Sequence, residues 1–372
     1  MPSNVTRRAF LLGVTGSALA AAAGCRPAGL IPPTQYQPGS TPLPTLTPAP
    51  TVILSANAKA DPHYGEIVFD KIFTTPVDSF YVTQYDYSRT PTLDKATWSM
   101  KIDGLVDTPM TFVYDDIAKY EPYEEMRTIQ CIGNPVGGSL IGNAIWKGFH
   151  AEALFDKLGI QTKATHVKIT GADGYTTGVQ MKYVRQPNVM FATEMNGAPL
   201  NTTHGFPIRI MMPGLYGQKM PRWITHIEFI DQDYIGFWEG SGYSNLATVN
   251  TNSIIKSPPN DSRADAAEVG AKVQIQGVAY AAPRLITKVE VRINDGEWMP
   301  AKITLGPNNL TWAQWRFEWV PTAPGAYTVA VRVTDESGFV QDKENTGIFG
   351  DNSRDGTSAI HQINVRAETP KA

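Results

Sequence analysis

The stretch "EMNGAPLNTTHGFPIRIMMPGLYGQKMPRWITHIEF", Glu194–Phe229, decides how this chain is read. It opens on a turn signal, "MNGAPL", then sets His204, Arg209, Lys219 and Arg222 in a strand–turn–strand region dense in glycine and proline. Glycines let backbone N–H groups approach a ligand, so cations among them suit an anionic, phosphate-bearing molecule. Charge alone does not separate that reading from a run of surface cations on a hairpin. A companion segment, "RTIQCIGNPVGGSLIGNAIWKGFHAEALFDKLGI" (Arg127–Ile160), places Cys131 between a β-branched run and a loop of Gly, Asn and Pro. Such a cysteine is either a small core residue or a thiolate held at a loop edge for a metal.

Cysteine use and the N-terminus bear on that choice. The chain has two cysteines in 372 residues, Cys25 and Cys131. Arg7 and Arg8 precede Phe10 and two leucines, and "ALAAAAGC" (Ala18–Cys25) follows, so residues 1–25 are expected to be a twin-arginine export signal. Cys25 after "AAAG" resembles a lipobox, with Ala22 where leucine is commoner. The Pro/Thr-rich residues 26–60 cannot pack a core and read as an extended spacer. Together they predict an exported protein, periplasmic or at the cell surface, anchored by a lipid on Cys25. With Cys25 set aside, Cys131 has no disulfide partner, and a lone exported thiol is open to oxidation unless buried or ligated.

Residues 61–250 mix short strands such as "WSMKIDGLV" and "HVKITGAD" with helical spacing in "AEALFDKLGI", where Ala153, Leu154 and Leu158 recur. An α+β body without regular βαβ alternation is expected. The character changes at residues 264–368. "KVQIQGVAY", "KVEVRINDGEW", "QWRFEWV" and "YTVAVRVTDESG" alternate with period two, Asp295-Gly296 signals a hairpin, and an all-β immunoglobulin-like sandwich is expected. Pro258-Pro259 and the polar "NDSRAD" mark the joint between the two.

Several function classes drop out. The net charge of -3, with no long basic run, argues against nucleic acid as a partner. No G-x-S-x-G, H-E-x-x-H, phosphate-loop or C-x-x-C-H motif is present, so this chain carries no c-type haem site of its own. The six histidines include no i, i+4 pair, and His166 in a strand reads as structural.

The two dense segments together resemble the molybdopterin-binding domain of the sulfite oxidase family. The family's Leu/Ile-x-Cys-x-Gly-Asn is matched by Ile129, Cys131, Gly133 and Asn134, and its Trp-x-Gly helix entry by Trp146-Lys147-Gly148. The block "EMNGAPL…HGFPIRI…PGLYGQKMPRWITHIE" is matched nearly residue for residue, and "AIHQINV" fits the family's C-terminal dimerisation domain. The resemblance spans about residues 61–365. It implies a molybdenum–molybdopterin cofactor, with Cys131 as the thiolate ligand of the metal. It implies pterin and phosphate contacts from Thr83, Gln84, Tyr85, Asp173, His204, Arg209 and the "KMPR" segment with Lys219, Met220 and Arg222. Tyr234 in "DQDYIGF" matches a tyrosine that reaches the substrate side of the metal.

Departures from the family bear on substrate. Gln84 stands where the family's sulfite oxidases hold an arginine, and Pro135-Val136 where two arginines follow the Gly-Asn. Arginine grips small oxyanions bidentately, so sulfite loses much of its hold. Arg185 and Arg354 are the remaining candidates to supply charge. The expected function is two-electron oxygen-atom transfer on a small sulfur or nitrogen oxo compound, with electrons exchanged with a separate cytochrome or membrane subunit. The resemblance also implies a homodimer. The alternatives are a non-catalytic anchored scaffold that keeps the fold, and a binder of phosphate-bearing ligands without molybdenum.

Overall fold

Alternation of buried and exposed side chains builds the first half as two facing sheets. The computed structural model describes residues 71–261, 266–342 and 354–370; the expected export signal (1–25), the spacer (26–60) and residues 61–70 lie outside them. Strands β1 (Ser99–Gly104), β2 (Met110–Val113), β3 (Tyr123–Gln130), β4 (Ile141–His150), β5 (His166–Gly171), β6 (Thr176–Gln180), β7 (Met190–Met195), β8 (Ala198–Pro199), β9 (Arg209–Met211) and β10 (Ile224–Ile230) follow in order. One sheet runs β2-β1-β10-β5-β6, and the other runs β3-β4-β7-β8 with β9 paired to β7. The space between them is filled by aromatic rings. Phe112 stacks near Phe149 at 5.8 Å, Phe149 meets Phe191 at 5.4 Å, and Phe155 meets Phe229 edge-on at 5.6 Å.

The second half is a sandwich of β11 (Asn252–Ser257), β12 (Ala267–Glu268), β13 (Val273–Tyr280), β14 (Ile286–Ile293), β15 (Met299–Pro300), β16 (Lys302–Thr304), β17 (Ala313–Trp319), β18 (Gly325–Asp335) and β19 (His361–Glu368). The sheets run β11-β13-β17-β16 and β12-β19-β18-β14-β15. Val289, Val291 and Ile293 of β14 pair in register with Val333, Val331 and Val329 of β18. The two valine runs therefore form one apolar face, which packs with Ile275, Trp315 and Ile363 in a buried core. Asp295-Gly296 lies in the β14–β15 connection, as its turn chemistry requires.

Three expectations need correction. The first half is a β structure rather than α+β, because its α-helices among the described residues are single turns: α1 (Ala151–Phe155), α2 (Met181–Val184) and α3 (Phe237–Gly240). The helical spacing of "AEALFDKLGI" yields only α1, since Gly159 takes a left-handed φ of 61° and Ile160 bridges to Val106. Trp146-Lys147-Gly148 is not a helix entry; it lies within β4, where Gly148 sits at a register shift and a Cβ there would fall 1.8 Å from the Phe191 carbonyl oxygen. Finally, β11 precedes the joint expected at Pro258-Pro259 yet is already a strand of the sandwich.

The sandwich also buttresses the strand that leads to Cys131. Thr128 of β3 donates its N–H to the Leu310 carbonyl, accepts at Oγ1 from the Trp312 N–H, and receives the Tyr280 hydroxyl on its own carbonyl at 2.9 Å. Ile132, Ile141 and Tyr216 share a buried cluster with Ile254, Val278, Leu310 and Trp312.

On the same boundary, His361 accepts the Ile255 N–H at Nδ1, and its ring lies against Gly137. Burial, helped by the Lys256 charge, pushes the imidazole down to about 4. Between pH 6.5 and 4 the unfolded chain therefore binds a proton that the folded chain refuses, and stability falls as pH falls through that window. The loss by pH 4 amounts to about 3 kcal/mol. His361→Asn, whose Oδ1 can accept the same N–H, is expected to remove that much of the acid-side slope in urea midpoints between pH 7 and pH 4.

Candidate active site

Strand β3 ends at Gln130, one residue short of Cys131, and its hairpin partner β4 begins at Ile141. The loop between them is closed by its own residues. The Cys131 N–H donates to the Leu140 carbonyl at 2.9 Å, and Asn134 accepts the Leu140 N–H at Oδ1 at 2.8 Å. Gly137 turns the chain with a φ of 75°, and a Cβ at Gly138 would collide with Asn134 and Pro135. This explains the Gly, Asn and Pro content of the segment. The loop fixes where the cysteine sulfur points.

Cys131 opens onto a cavity of about 220 Å³ walled by three further segments. Residues 80–85 run along one side, the β5–β6 turn contributes Asp173 and Tyr175, and the chain from His204 to Trp223 supplies the cations. Burial raises the Cys131 thiol above its ordinary value, opposed by the Gly133 N–H and the Thr83 hydroxyl, both directed at the sulfur. These two donors favour a thiolate.

The cationic wall is held from behind. Arg222 donates to the carbonyls of Thr203 and Thr83, stacks on Trp223 at 4.2 Å, and is pushed down to about 10 by burial. Arg209 donates to the His204 carbonyl and lies over the Trp146 ring; burial and then the Arg222 charge push it down to about 9. Both remain positive at pH 7. His204 bonds through Nε2 to the Val77 carbonyl at 2.9 Å, and burial holds its imidazole below the usual range. Asp173 accepts the Tyr175 N–H at Oδ1, burial raises its carboxyl, and its carbonyl receives the Tyr85 hydroxyl. The Gln84 amide donates to Thr90 Oγ1 at 3.0 Å.

Thr83, Gln84, Tyr85, Cys131, Asp173, His204, Arg209, Met220 and Arg222 thus meet around one cavity, drawn from positions up to 139 residues apart. Lys219 and Tyr234 do not reach its wall. The Lys219 ammonium is buried behind it on Glu239 Oε1 at 2.5 Å, with the Gly178 carbonyl, Thr177 and Asn245 as further acceptors. Tyr234 gives its hydroxyl to Thr176 at 3.0 Å under the Lys168 ammonium. Arg185 and Arg354 are also absent from the lining; Arg354 donates to the Ser241 carbonyl across Gly242.

Sequence reasoning passed over Tyr243 and Trp238, which complete the wall beside Cys131. A Cβ on Gly133 would lie 3.4 Å from the Tyr243 hydroxyl and 3.9 Å from the Cys131 sulfur, so both groups face that bare glycine. Gly242-Tyr243, an aromatic residue in a glycine turn shortly after "DYIGF", was the available signal.

The wall has unmet hydrogen-bonding capacity. Among the described residues, Arg209 Nε and Gln218 Oε1 are buried and lack partners, one a donor and one an acceptor. An anionic phosphate answers the first, and a ring N–H answers the second. The described residues contain no group of three His, Cys, Asp or Glu able to hold a metal, so a metal beside Cys131 would take its other donors from a cofactor. A phosphate-bearing pterin that brings sulfur donors to a metal fits this wall.

Comparison with known proteins agrees. Residues 87–238 match the oxidoreductase molybdopterin binding domain, and residues 244–349 match the Mo-co oxidoreductase dimerisation domain. The uncharacterized oxidoreductase YuiH of Bacillus subtilis is 33% identical over 150 residues, which cover 40% of this chain and 74% of YuiH. The sulfite oxidase of Arabidopsis thaliana is 28% identical over 305 residues, covering 68% of this chain and 77% of that protein. The crystal structure of the sulfane dehydrogenase SoxCD from Paracoccus pantotrophus shares the fold, with a TM-score of 0.65 at 19% identity over 91% of this chain and 97% of that one. The chain belongs to the sulfite oxidase family of molybdopterin oxidoreductases, and its cofactor is molybdenum–molybdopterin.

Proposed function

We propose that this chain catalyses two-electron oxygen-atom transfer on a small sulfur or nitrogen oxo compound, with Cys131 as the protein's ligand to molybdenum. The observation that carries the reading is the convergence of a thiol facing two donors and a buried, partnerless Arg209 Nε on one cavity. The cofactor, when bound, supplies the two-electron redox centre and the exchangeable oxygen.

The chain's residues do the rest. The Thr83 hydroxyl and Gly133 N–H stabilise negative charge on the Cys131 sulfur. Arg209 and Arg222 hold the phosphate, with His204 tying the turn before Arg209 to the Val77 carbonyl. Gln218 Oε1 accepts from the pterin ring. Tyr243, rather than Tyr234, brings a phenol hydroxyl to the side of Cys131, where it orients substrate oxygen.

Electrons pass to or from a separate carrier, a cytochrome or membrane subunit. The match to a dimerisation domain supports a homodimer. Export by the twin-arginine route and lipid attachment at Cys25 place the enzyme outside the cytoplasm, anchored by its N-terminus. Metal and phosphate analysis of the purified protein is the test. One molybdenum and one pterin phosphate per chain are expected, and Arg209→Met should lower retained phosphate by about tenfold. A folded protein that never carries molybdenum would favour a scaffold.

A further inference from the structure

We propose that residues 76–97 are a flap that opens to admit the molybdopterin cofactor and closes over it, with the Phe80 ring as its bolt. Such a flap governs how the cofactor enters and is kept, whichever oxo compound the enzyme converts.

The walls of the cavity are not equally tied down. The loop carrying Cys131 closes a hairpin paired from Tyr123–Gly148 to Gln130–Ile141, and Asp173 and Tyr175 sit in the turn of the β5–β6 hairpin. The cationic wall, residues 204–223, runs between β9, paired with β7, and β10, paired with β1 and β5. Moving any of these breaks a β-ladder. The wall from α3 to Tyr243 has no ladder, but the buried Lys219–Glu239 ion pair holds it, and that costs more to break than a neutral hydrogen bond. Residues 76–97 belong to no sheet among the described residues, and their regular structure is two 3-10 turns, Val77–Ser79 and Tyr87–Arg89.

Both ends of this stretch are anchored. The Thr75 N–H donates to the Asn143 carbonyl, Thr75 Oγ1 accepts the Asn143 N–H, and the Asn196 amide donates to the Thr75 carbonyl. Just before it, Gln314 of the sandwich accepts the Phe73 N–H at 2.8 Å and donates to the Lys71 carbonyl at 2.9 Å. At the far end, buried Trp98 donates Nε1 to the Ile224 carbonyl as the chain enters β1. Between the anchors lie side-chain latches that can be made and released. Val77 gives its carbonyl to His204, Thr83 gives its carbonyl to Arg222, and Tyr85 gives its hydroxyl to the Asp173 carbonyl. The Phe80 ring, 4% exposed, meets Trp146 and His204 edge-on at 5.8 Å each. Its seat is Gly142, where a Cβ would fall 2.6 Å from the ring.

The latches and the groups that meet the cofactor are shared. Thr83, on the flap, directs its hydroxyl at the Cys131 sulfur and holds Arg222 through its carbonyl. Closing therefore completes the wall, and a cofactor seated on Cys131, Arg209 and Arg222 holds the flap shut. By linkage, closure strengthens cofactor binding by the factor with which the cofactor favours closure. When the flap opens, residues 80–85 leave one side of the cavity while its laddered walls stay in place.

Hydrogen exchange read by mass spectrometry compares cofactor-loaded protein with protein made in cells that cannot synthesise molybdopterin. Exchange within residues 76–97 should be about tenfold faster without the cofactor, while the β3–β4 hairpin exchanges alike in both. Gly142→Ala unseats Phe80 without altering the flap itself. It should speed flap exchange further in the cofactor-free protein, where no contact with the cofactor contributes. Release of pterin from loaded protein, read as fluorescence in the filtrate, should rise about tenfold in Gly142→Ala and about 100-fold in Phe80→Ala. Val331→Ala, which hollows the sandwich core, should lower the urea midpoint yet leave release at the wild-type rate. Should Gly142→Ala or Phe80→Ala fail to fold, the wild-type exchange comparison decides by itself. Equal flap exchange with and without cofactor overturns the flap. So does faster exchange at residues 237–245 in its place, or pterin release that follows the urea midpoint across all three variants.

Discussion

Cys131→Ser is expected to abolish turnover, by at least about 100-fold, while leaving the fold and most of the pterin in place. Thiol and hydroxyl differ little in volume, and Cys131 is only partly buried, in a loop closed by Asn134 and Leu140 rather than by the sulfur itself. The stability change should therefore stay within about 1 kcal/mol. The chemistry changes far more. A thiolate is a soft, anionic donor stabilised here by Thr83 and Gly133, whereas a serine hydroxyl stays protonated and neutral at pH 7 and suits molybdenum poorly. In the proposed arrangement phosphate retention rests on Arg209 and Arg222, which the substitution does not touch. The variant should thus keep pterin phosphate, lose molybdenum or bind it loosely, and lose the thiolate-to-metal absorption of the wild type. Wild-type rates and spectrum in Cys131→Ser would remove Cys131 from the metal.

The sequence made the cavity's contents legible through residue types at particular places. Cys131 after a strand, and cations among glycines from His204 to Arg222, describe a ligand-binding chemistry whatever the fold does with the intervening chain. Direction was not legible. Lys219 and Arg222 lie three residues apart in "KMPR", yet the turn at Gly217–Lys219 sends the lysine behind the wall, and the left-handed Trp223, at a φ of 53°, follows the arginine that stays on it. Tyr234 and Tyr243 likewise sit in similar Gly-rich surroundings, and only the path of α3 brings the second to Cys131. The sandwich was readable because period two over Val289–Ile293 and Val329–Val333 survives any packing. The first half was harder. Ala153, Leu154 and Leu158 satisfy helical spacing, but burial of Leu154 and Leu158 needs only one turn, and Gly159 ends it. Strand β11 escaped notice because "NSIIKS" is short and lies beside a proline pair that reads as a boundary.

Lys219→Met carries the largest expected effect on stability. Both side chains of the Lys219–Glu239 pair are 1% exposed, and the ammonium also holds the Gly178 carbonyl, Thr177 and Asn245. Burial pulls the lysine down, and the Glu239 carboxylate 2.5 Å away opposes that. Removing the cation leaves the Glu239 carboxylate buried with only the Thr177 hydroxyl and the Gln218 amide donating to Oε1, and with Oε2 already lacking a partner. Breaking a buried pair from one side costs about 3–5 kcal/mol. The pair also joins two pieces of the cavity wall, since Lys219 sits between Gln218 and Met220 while Glu239 follows Trp238 on α3. Removing both charges should restore much of the loss, so Lys219→Met/Glu239→Gln is expected to be more stable than Lys219→Met by about 2 kcal/mol. Urea denaturation of cofactor-free protein measures this cycle without contribution from ligand binding. A lysine whose work is to hold the pterin phosphate directly behaves otherwise: its loss would empty the site yet leave the cofactor-free protein as stable as wild type, and Glu239→Gln would change neither.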